Sequence, residues 1–229
     1  MFYFDPLYLL FALPALLLGL YAQFKVQSAM ERYSRLFTSH SGLETARAIL
    51  EANGLYNVHI EETSGFLSDH YDPVSRTLRL SPSVARGRNV AAMAVAAHEA
   101  GHALQHARGY WPLYVRSGMV PAVQFGSWLG PVIFMVGFLF NLRPIAWLGV
   151  LLFGAVALFA LVTLPVEYDA SRRAKQVLER YFMLDRRSMA AVNDMLNAAA
   201  LTYVAALLQA VSTLLYYVFL LTGFSRDER

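Results

Sequence analysis

Four long segments without a charged side chain constrain what this sequence can fold into. They are residues 6–24, 117–142, 144–166 and 195–225. Each reaches or exceeds the length of about 18–20 apolar residues with which an α-helix crosses the hydrocarbon core of a bilayer. Composition agrees with a lipid environment, since only 15% of the 229 residues are charged, against about a quarter in soluble domains. The sequence therefore predicts a mainly α membrane protein with about four transmembrane helices.

The basic residues indicate how these helices are oriented. Among the 19 Lys and Arg, only Arg143, Arg226 and Arg229 lie outside residues 25–116 and 167–194. Four spans place these two basic segments on one side of the membrane, and the positive-inside rule makes that side cytoplasmic. The short loop between the second and third apolar segments predicts that the two spans are antiparallel neighbours.

The region between the first two apolar segments has the patterns of a small α+β region. A capping box at Ser41 and Glu44 favours a helix that begins there. Polar and apolar residues alternate over residues 57–61 and 77–81, with the turn signal Asp72-Pro73 between them. A short β-hairpin or a small sheet is therefore expected.

A candidate metal-binding motif lies on a second predicted helix of this region. Residues 89–107 are rich in Ala, which favours a helix, and contain His98, Glu99 and His102 in the pattern HExxH. Positions i and i+4 share one helix face, so both imidazoles can reach one cation, with Glu99 beside that face. The chain has no cysteine, so His, Asp and Glu must hold any zinc ion. Glu99 could then take a proton from an activated water molecule. A chance match is the alternative, but such a cluster on an apolar helix is costly unless it is paired or binds a metal.

A catalytic zinc site needs a third protein ligand, and His106 is the nearest candidate in sequence. It lies eight residues after His98 on the same predicted helix, which is about 12 Å further along the helix axis. The two side chains cannot share one metal ion unless the helix breaks. His106 is therefore expected to be structural.

Glu167 is the predicted third ligand. It directly follows the third apolar segment, so the site is expected at the membrane surface. On a helix it shares one face with three small or apolar residues: Ala170, Ala174 and Leu178. Such a face can pack closely against the Ala-rich motif helix. The alternative is a carboxylate that pairs with Arg172 or Arg173 at the interface, and Asp169 is expected at most to contact a ligand.

Together these stretches resemble a known family. The segments that carry the resemblance are residues 69–73, 95–106, 167–171 and 196–204. They are similar to the YugP-like neutral zinc metallopeptidases of bacterial membranes, and more distantly to HtpX-type membrane proteases and CaaX prenyl proteases. The resemblance implies peptidase activity in a bacterial cell membrane, with one zinc ion between HExxH and the Glu of a downstream Glu-x-x-x-Asp motif. Here Ser171 occupies the Asp position, which leaves open how that position contacts the metal ligands.

Other polar residues have alternative roles. Asp69, His70 and Asp72 could form a second cation site, line the cleft or build a polar hairpin turn. Tyr203 could donate a hydrogen bond to the oxyanion, as a His or Tyr does in gluzincin proteases, or could be an ordinary interfacial tyrosine. The strand at residues 77–81 could pair along its edge with an extended peptide.

The first apolar segment could be a signal peptide, but no basic region precedes it, and Asp5 stands where positive charge is expected. An uncleaved anchor is favoured. Five segments are then expected: an N-terminal transmembrane anchor, an aqueous zinc-peptidase region, a transmembrane hairpin, a helical region with the third ligand, and a C-terminal transmembrane helix with a tail. Their bounds are 1–24, 25–116, 117–166, 167–194 and 195–229.

The sequence thus predicts a membrane-embedded, zinc-dependent endopeptidase of the gluzincin type that cleaves membrane or membrane-proximal proteins at the cytoplasmic face. The alternative is an inactive, zinc-stabilised membrane scaffold or adaptor of a protease complex, which would not need a base at Glu99. A site-2-type intramembrane protease fits less well, because its Asp-Gly motif is missing and Arg88 and Arg108 flank the motif helix.

The expected partners are a protein or peptide substrate and the lipid bilayer. A membrane-protein partner or a homo-oligomer is also compatible with the sequence. Nucleic acid is not expected, because the basic residues form no dense run despite a pI of about 9.2.

Overall fold

The computed structural model describes residues 6–65 and 68–223. Within them the chain is mainly α-helical, with one small sheet. The elements are α1 (Pro6–Tyr33), α2 (Gly42–Ala52), β1 (His59–Glu62), β2 (His70–Asp72), β3 (Thr77–Leu80), α3 (Pro82–Ala85), α4 (Val90–Ala107), α5 (Trp111–Leu139), α6 (Arg143–Phe182) and α7 (Arg186–Gly223). In this described part, α1, α5, α6 and α7 are long and apolar enough to cross a membrane. The predicted fold class is confirmed.

The chain divides into two compact units. The first comprises Met1–Tyr21, Tyr114–Pro165 and Thr202–Arg229. The second comprises Ala22–Leu113 and Val166–Leu201. All three strands and the HExxH helix α4 belong to the second unit. The bounds of the five segments expected from the sequence stay a prediction.

Helices α5 and α6 form an antiparallel hairpin in the first unit, as the short loop between them predicts. The backbone of Gly137 lies against that of Ala146, and Gly149 lies against Phe134. The later residue of α5 thus contacts the earlier residue of α6, and the earlier residue of α5 contacts the later one, as antiparallel helices require. A Cβ atom at Gly137 would collide with the backbone of α6, so glycine permits this close approach.

The second unit contains a three-stranded sheet in the order β1-β3-β2. β3 pairs parallel with β1, with His59 opposite Thr77, and antiparallel with β2, with Tyr71 opposite Leu78. The expected small sheet is present, but the two predicted strands, residues 57–61 and 77–81, correspond to β1 and β3 and pair in parallel. The hairpin is formed by β2 and β3, and the sequence analysis did not predict β2 as a strand. The prediction that residues 77–81 offer a free edge to a peptide is wrong, because β3 is the central strand and both of its edges are paired. The pattern of residues 77–81 predicts a strand but does not reveal its neighbours.

Local signals in the sequence determine where two helices of this unit begin. The predicted capping box lies at the start of α2. Ser41 Oγ accepts a hydrogen bond from the backbone N–H of Glu44 at 3.2 Å, and Glu44 Oε2 accepts one from the backbone N–H of Ser41 at 2.8 Å. Asn89 caps α4 by accepting from the N–H of Ala92 at 2.9 Å. Because α4 consists largely of Ala, other elements can pack closely against it.

α4 and α6 approach each other closely where Gly101 faces Ala170. A Cβ atom at Gly101 would lie 2.6 Å from the carbonyl oxygen of Ala170, closer than van der Waals contact allows. Ala170, Ala174 and Leu178 are all fully buried, which confirms the predicted packing face of α6. The spacing of these two helices therefore depends on the absence of a side chain at Gly101.

We expect Gly101→Ala to destabilise the protein by about 1–3 kcal/mol, the usual cost of overpacking, because the new methyl group collides with a backbone carbonyl that cannot move alone. Gly154→Ala in α6 is the matched control, since a Cβ atom there meets nothing within 4 Å and alanine is the better helix former. Thermal melting of the detergent-solubilised variants gives the comparison. Equal melting of Gly101→Ala and wild type would contradict the close contact.

Candidate metal centre

Two histidines of α4 and one glutamate of α6 converge in the second unit. His98, His102 and Glu167 each offer one ligand atom, and these atoms all lie within 4.8 Å of one another. Among the described residues, no other group of three or more His, Cys, Asp or Glu meets this geometry. The three residues that the sequence predicts as metal ligands are therefore brought together.

The donor atoms face one another at short distances. Glu167 Oε2 lies 3.1 Å from Nε2 of His98 and 3.6 Å from Nε2 of His102. The two rings approach edge to face, with centroids 4.9 Å apart, because the i, i+4 spacing places both on one face of α4.

This donor set fits a zinc ion. Two imidazole nitrogens and one carboxylate oxygen are a common ligand set of catalytic zinc, which keeps a fourth position open. The side chain of Glu167 is 2% exposed, and an ionised carboxylate buried to that extent needs compensating charge or hydrogen bonds. A divalent cation among the three donor atoms would supply that charge.

Glu99 directly follows the first of these histidines on α4 and is buried, with 8% of its surface exposed. Its carboxylate is therefore held on a rigid helix in surroundings with little water. In such surroundings electrostatic interactions are stronger than in bulk solvent. A carboxylate in this position can accept and return a proton.

Gln105 contacts His102, and the sequence analysis did not predict this contact. It is fully buried, and its Oε1 lies 3.0 Å from Nδ1 of His102. Its Nε2 donates to the carbonyl of Val166 at 2.8 Å and to Asp169 Oδ2 at 2.9 Å. Gln105 therefore links Asp169 to a predicted ligand, His102. The spacing i, i+3 from His102 was the signal available in the sequence.

Asp169 also accepts hydrogen bonds from two arginines of its own helix. Arg173 Nε donates to it at 2.6 Å, and Arg172 forms a second ion pair with it. These arginines therefore pair with Asp169, and Glu167 lies with the two histidines instead. The predicted alternative paired one of these arginines with Glu167, whereas the structure pairs both of them with Asp169.

Ser171 occupies the position of the Asp in the related Glu-x-x-x-Asp motif. Its Oγ lies 3.2 Å from Nδ1 of His98, and the residue is 6% exposed. A hydroxyl group therefore contacts the first histidine from the position that the related motif gives to Asp.

His106 lies outside this group of three. Its Nδ1 lies 2.8 Å from the hydroxyl of Tyr71 on β2. Burial lowers the pKa of His106, and the nearby charge of Arg76 lowers it further. A neutral imidazole bonded to a strand fits the structural role that the sequence predicts.

Asp69, His70 and Asp72 build the hairpin, one of the three roles left open by the sequence. Asp69 accepts from the N–H of Ser81 at 2.7 Å, and Nδ1 of His70 lies 2.8 Å from the carbonyl oxygen of Ser68. Asp72 accepts from the Ser75 hydroxyl at 2.6 Å, and this hydrogen bond lowers the pKa of Asp72.

Tyr203 belongs to the first unit, whereas the candidate metal centre belongs to the second. Its predicted contact with the oxyanion stays a prediction.

Comparisons with known proteins agree with the geometry. A family model described as "Putative neutral zinc metallopeptidase" matches residues 8–222. The chain is 45% identical over 224 residues to "Putative membrane protease YugP" of Bacillus subtilis (strain 168), an alignment that covers 97% of this chain and 99% of that protein. No solved structure matches the chain. The resemblance predicted from the sequence is confirmed, and the chain belongs to the family that this model describes as neutral zinc metallopeptidases.

Proposed function

We propose that this protein is a zinc-dependent endopeptidase that hydrolyses peptide bonds of membrane or membrane-proximal proteins. The observation that carries this proposal is the convergence of His98, His102 and Glu167 within 4.8 Å, next to the buried carboxylate of Glu99 in sequence. Two histidines and a glutamate are the ligand set of gluzincin peptidases, so we assign the protein to that type.

His98 and His102 would hold the zinc ion through Nε2, and Glu167 through its carboxylate. When bound, zinc supplies a Lewis acid that polarises a carbonyl group and makes water nucleophilic near neutral pH. The side chains of His98, His102 and Glu167 are 12%, 7% and 2% exposed. This low exposure limits the water that could compete with them for the metal.

Glu99 acts as the general base and then as the general acid. Its carboxylate accepts a proton from water as the water oxygen bonds to the scissile carbonyl carbon. It then delivers that proton to the amine nitrogen as the C–N bond breaks. Tyr203 remains our candidate for a hydrogen-bond donor to the oxyanion.

The two rival functions are less well supported. A zinc-stabilised scaffold would need the three ligands but no base at Glu99. A site-2-type intramembrane protease would carry HExxH on a transmembrane helix. Among the described helices, α4 is not one of those long and apolar enough to span a membrane.

We propose a multi-pass protein of the bacterial cell membrane with its catalytic region in the cytoplasm. The support is the distribution of Lys and Arg, which places residues 25–116 and 167–194 on the positive side. Glu167 directly follows the apolar segment at residues 144–166, so the site is expected at the membrane surface. The proposed partners are a protein substrate and the lipid bilayer. A membrane-protein partner or a second copy of the chain is also compatible with the sequence. We do not propose that the protein binds nucleic acid.

Glu99→Gln should retain zinc and lose cleavage. The amide keeps the size of the side chain but cannot accept the proton, so we expect the rate to fall by about 100- to 10,000-fold, the usual contribution of general acid–base catalysis. The assay is digestion of casein by the detergent-solubilised protein with and without a chelator, alongside zinc quantification. Wild-type cleavage by Glu99→Gln would refute the mechanism, and a lack of chelator-sensitive cleavage by the wild type would favour the scaffold.

Glu167→Gln should lower the zinc content of the purified protein far below that of the wild type, because the amide removes the anionic ligand. Glu179→Gln is the control, since Glu179 is exposed on the same helix. Elemental analysis after dialysis measures both. If Glu167→Gln retained all of its zinc, the third ligand would have to be another residue.

The chain has no cysteine, so single cysteines can report its orientation. Val74 in the hairpin turn of the second unit is 92% exposed, and Phe140 in the α5–α6 turn is 71% exposed. In intact spheroplasts, a membrane-impermeant maleimide should label Phe140→Cys and should label Val74→Cys only after permeabilisation. The reverse pattern would place the catalytic region outside the cytoplasm.

A further inference from the structure

The side-chain amide of Gln105 is tightly constrained beside the candidate metal centre. The residue is fully buried, and three acceptors or potential acceptors surround its amide: the Val166 carbonyl at 2.8 Å, Asp169 Oδ2 at 2.9 Å and His102 Nδ1 at 3.0 Å. These contacts join α4 to α6 at the two helices that carry the proposed ligands.

Chemistry decides which way this amide faces. A carbonyl oxygen and a carboxylate can only accept hydrogen bonds, so they require the NH₂ group of Gln105. The reversed amide would place its oxygen against two other acceptors in a buried site, which is strongly unfavourable. Both N–H groups are then used, and only Oε1 is left to face His102.

The orientation of the amide decides the tautomer of His102. Oε1 is only an acceptor, so the hydrogen must lie on Nδ1 of the imidazole. The lone pair of the neutral ring is then on Nε2, which is the atom 3.6 Å from Glu167 Oε2.

We infer that Gln105 is a positioning residue that holds His102 in its metal-binding tautomer and ring orientation, with Asp169 as its anchor. This inference rests on the proposed function, because it assigns a role relative to the zinc ion. Groups of this kind typically change metal affinity when they are removed. Asp169 is itself fixed by Arg173 at 2.6 Å, so the hydrogen bonds form a continuous chain from an arginine to the histidine.

His98 lacks a comparable constraint. Its Nδ1 faces the Ser171 hydroxyl at 3.2 Å, and a hydroxyl group can either donate or accept. The contact orients the ring but does not select its tautomer. Loss of Gln105 should therefore weaken zinc binding more than loss of the Ser171 hydroxyl.

Gln105→Met tests this role, because methionine has a similar length but neither donates nor accepts here. We expect zinc affinity, measured by competition with a chromogenic chelator, to fall by about 10- to 100-fold. Ser171→Ala should reduce zinc affinity by a smaller factor. Gln176→Met, at an exposed position of α6, is the matched control and should bind zinc as the wild type does. Circular dichroism checks that each variant is folded, and a folded Gln105→Met with wild-type zinc affinity would overturn the inference.

A rescue experiment separates positioning from packing. Gln105→Glu keeps an acceptor for His102 but points a second oxygen at the Val166 carbonyl and the Asp169 carboxylate, so zinc affinity should fall. Adding Asp169→Asn supplies an N–H group for that oxygen and should recover part of the loss, since the Val166 carbonyl still faces it. Failure of the double variant to improve on Gln105→Glu would overturn the inference, including in the case where Gln105→Met does not fold.

Zinc binding by the wild type and by the ligand variants tests the proposed function separately from the role of Gln105. If the wild type bound no zinc, or if His98→Ala and Glu167→Gln left zinc binding unchanged, the metal centre itself would be refuted. If those variants lost zinc while Gln105→Met did not, only the role of Gln105 would be refuted.

Discussion

The second unit is organised around a carboxylate buried between two imidazoles. The side chain of Glu167 is 2% exposed, and an ionised carboxylate removed from water loses a large hydration free energy. A divalent cation held by Glu167 and by the Nε2 atoms of His98 and His102 would recover that loss. α4 and α6 must therefore meet at a fixed distance, since a displacement of about 1 Å would disturb the geometry of the ligand atoms.

Small residues make that distance possible. Gly101 precedes a proposed ligand directly, and its Cα faces the backbone of Ala170. Glycine in the middle of a helix costs roughly 1 kcal/mol relative to alanine, and here the close approach of the two helices offsets that cost. The ligands consequently project from rigid, closely packed helices rather than from loops, which favours a well-defined metal geometry.

The sequence predicts the parts of this site that depend on helical periodicity. The i, i+4 spacing places His98 and His102 on one face, and the small residues that follow Glu167 indicate which side of α6 is packed. Periodicity alone does not predict the contacts of Gln105 and Ser171, because these depend on the rotation of one helix relative to the other. The central place of β3 was missed for a similar reason, since alternation predicts a strand but strand order depends on distant segments.

The position of the ligands along the chain bears on how the site assembles. His98 and Glu167 are 69 residues apart, and closing so long a flexible loop would carry an entropic cost. Most of the intervening chain is the α5–α6 hairpin, whose contacts, such as Gly137 with Ala146, are local in sequence. An antiparallel hairpin returns the chain to the side from which it entered, so once it forms, the effective loop between the ligands is much shorter. The ligand set can therefore meet at a lower entropic cost than a flexible loop of that length would impose.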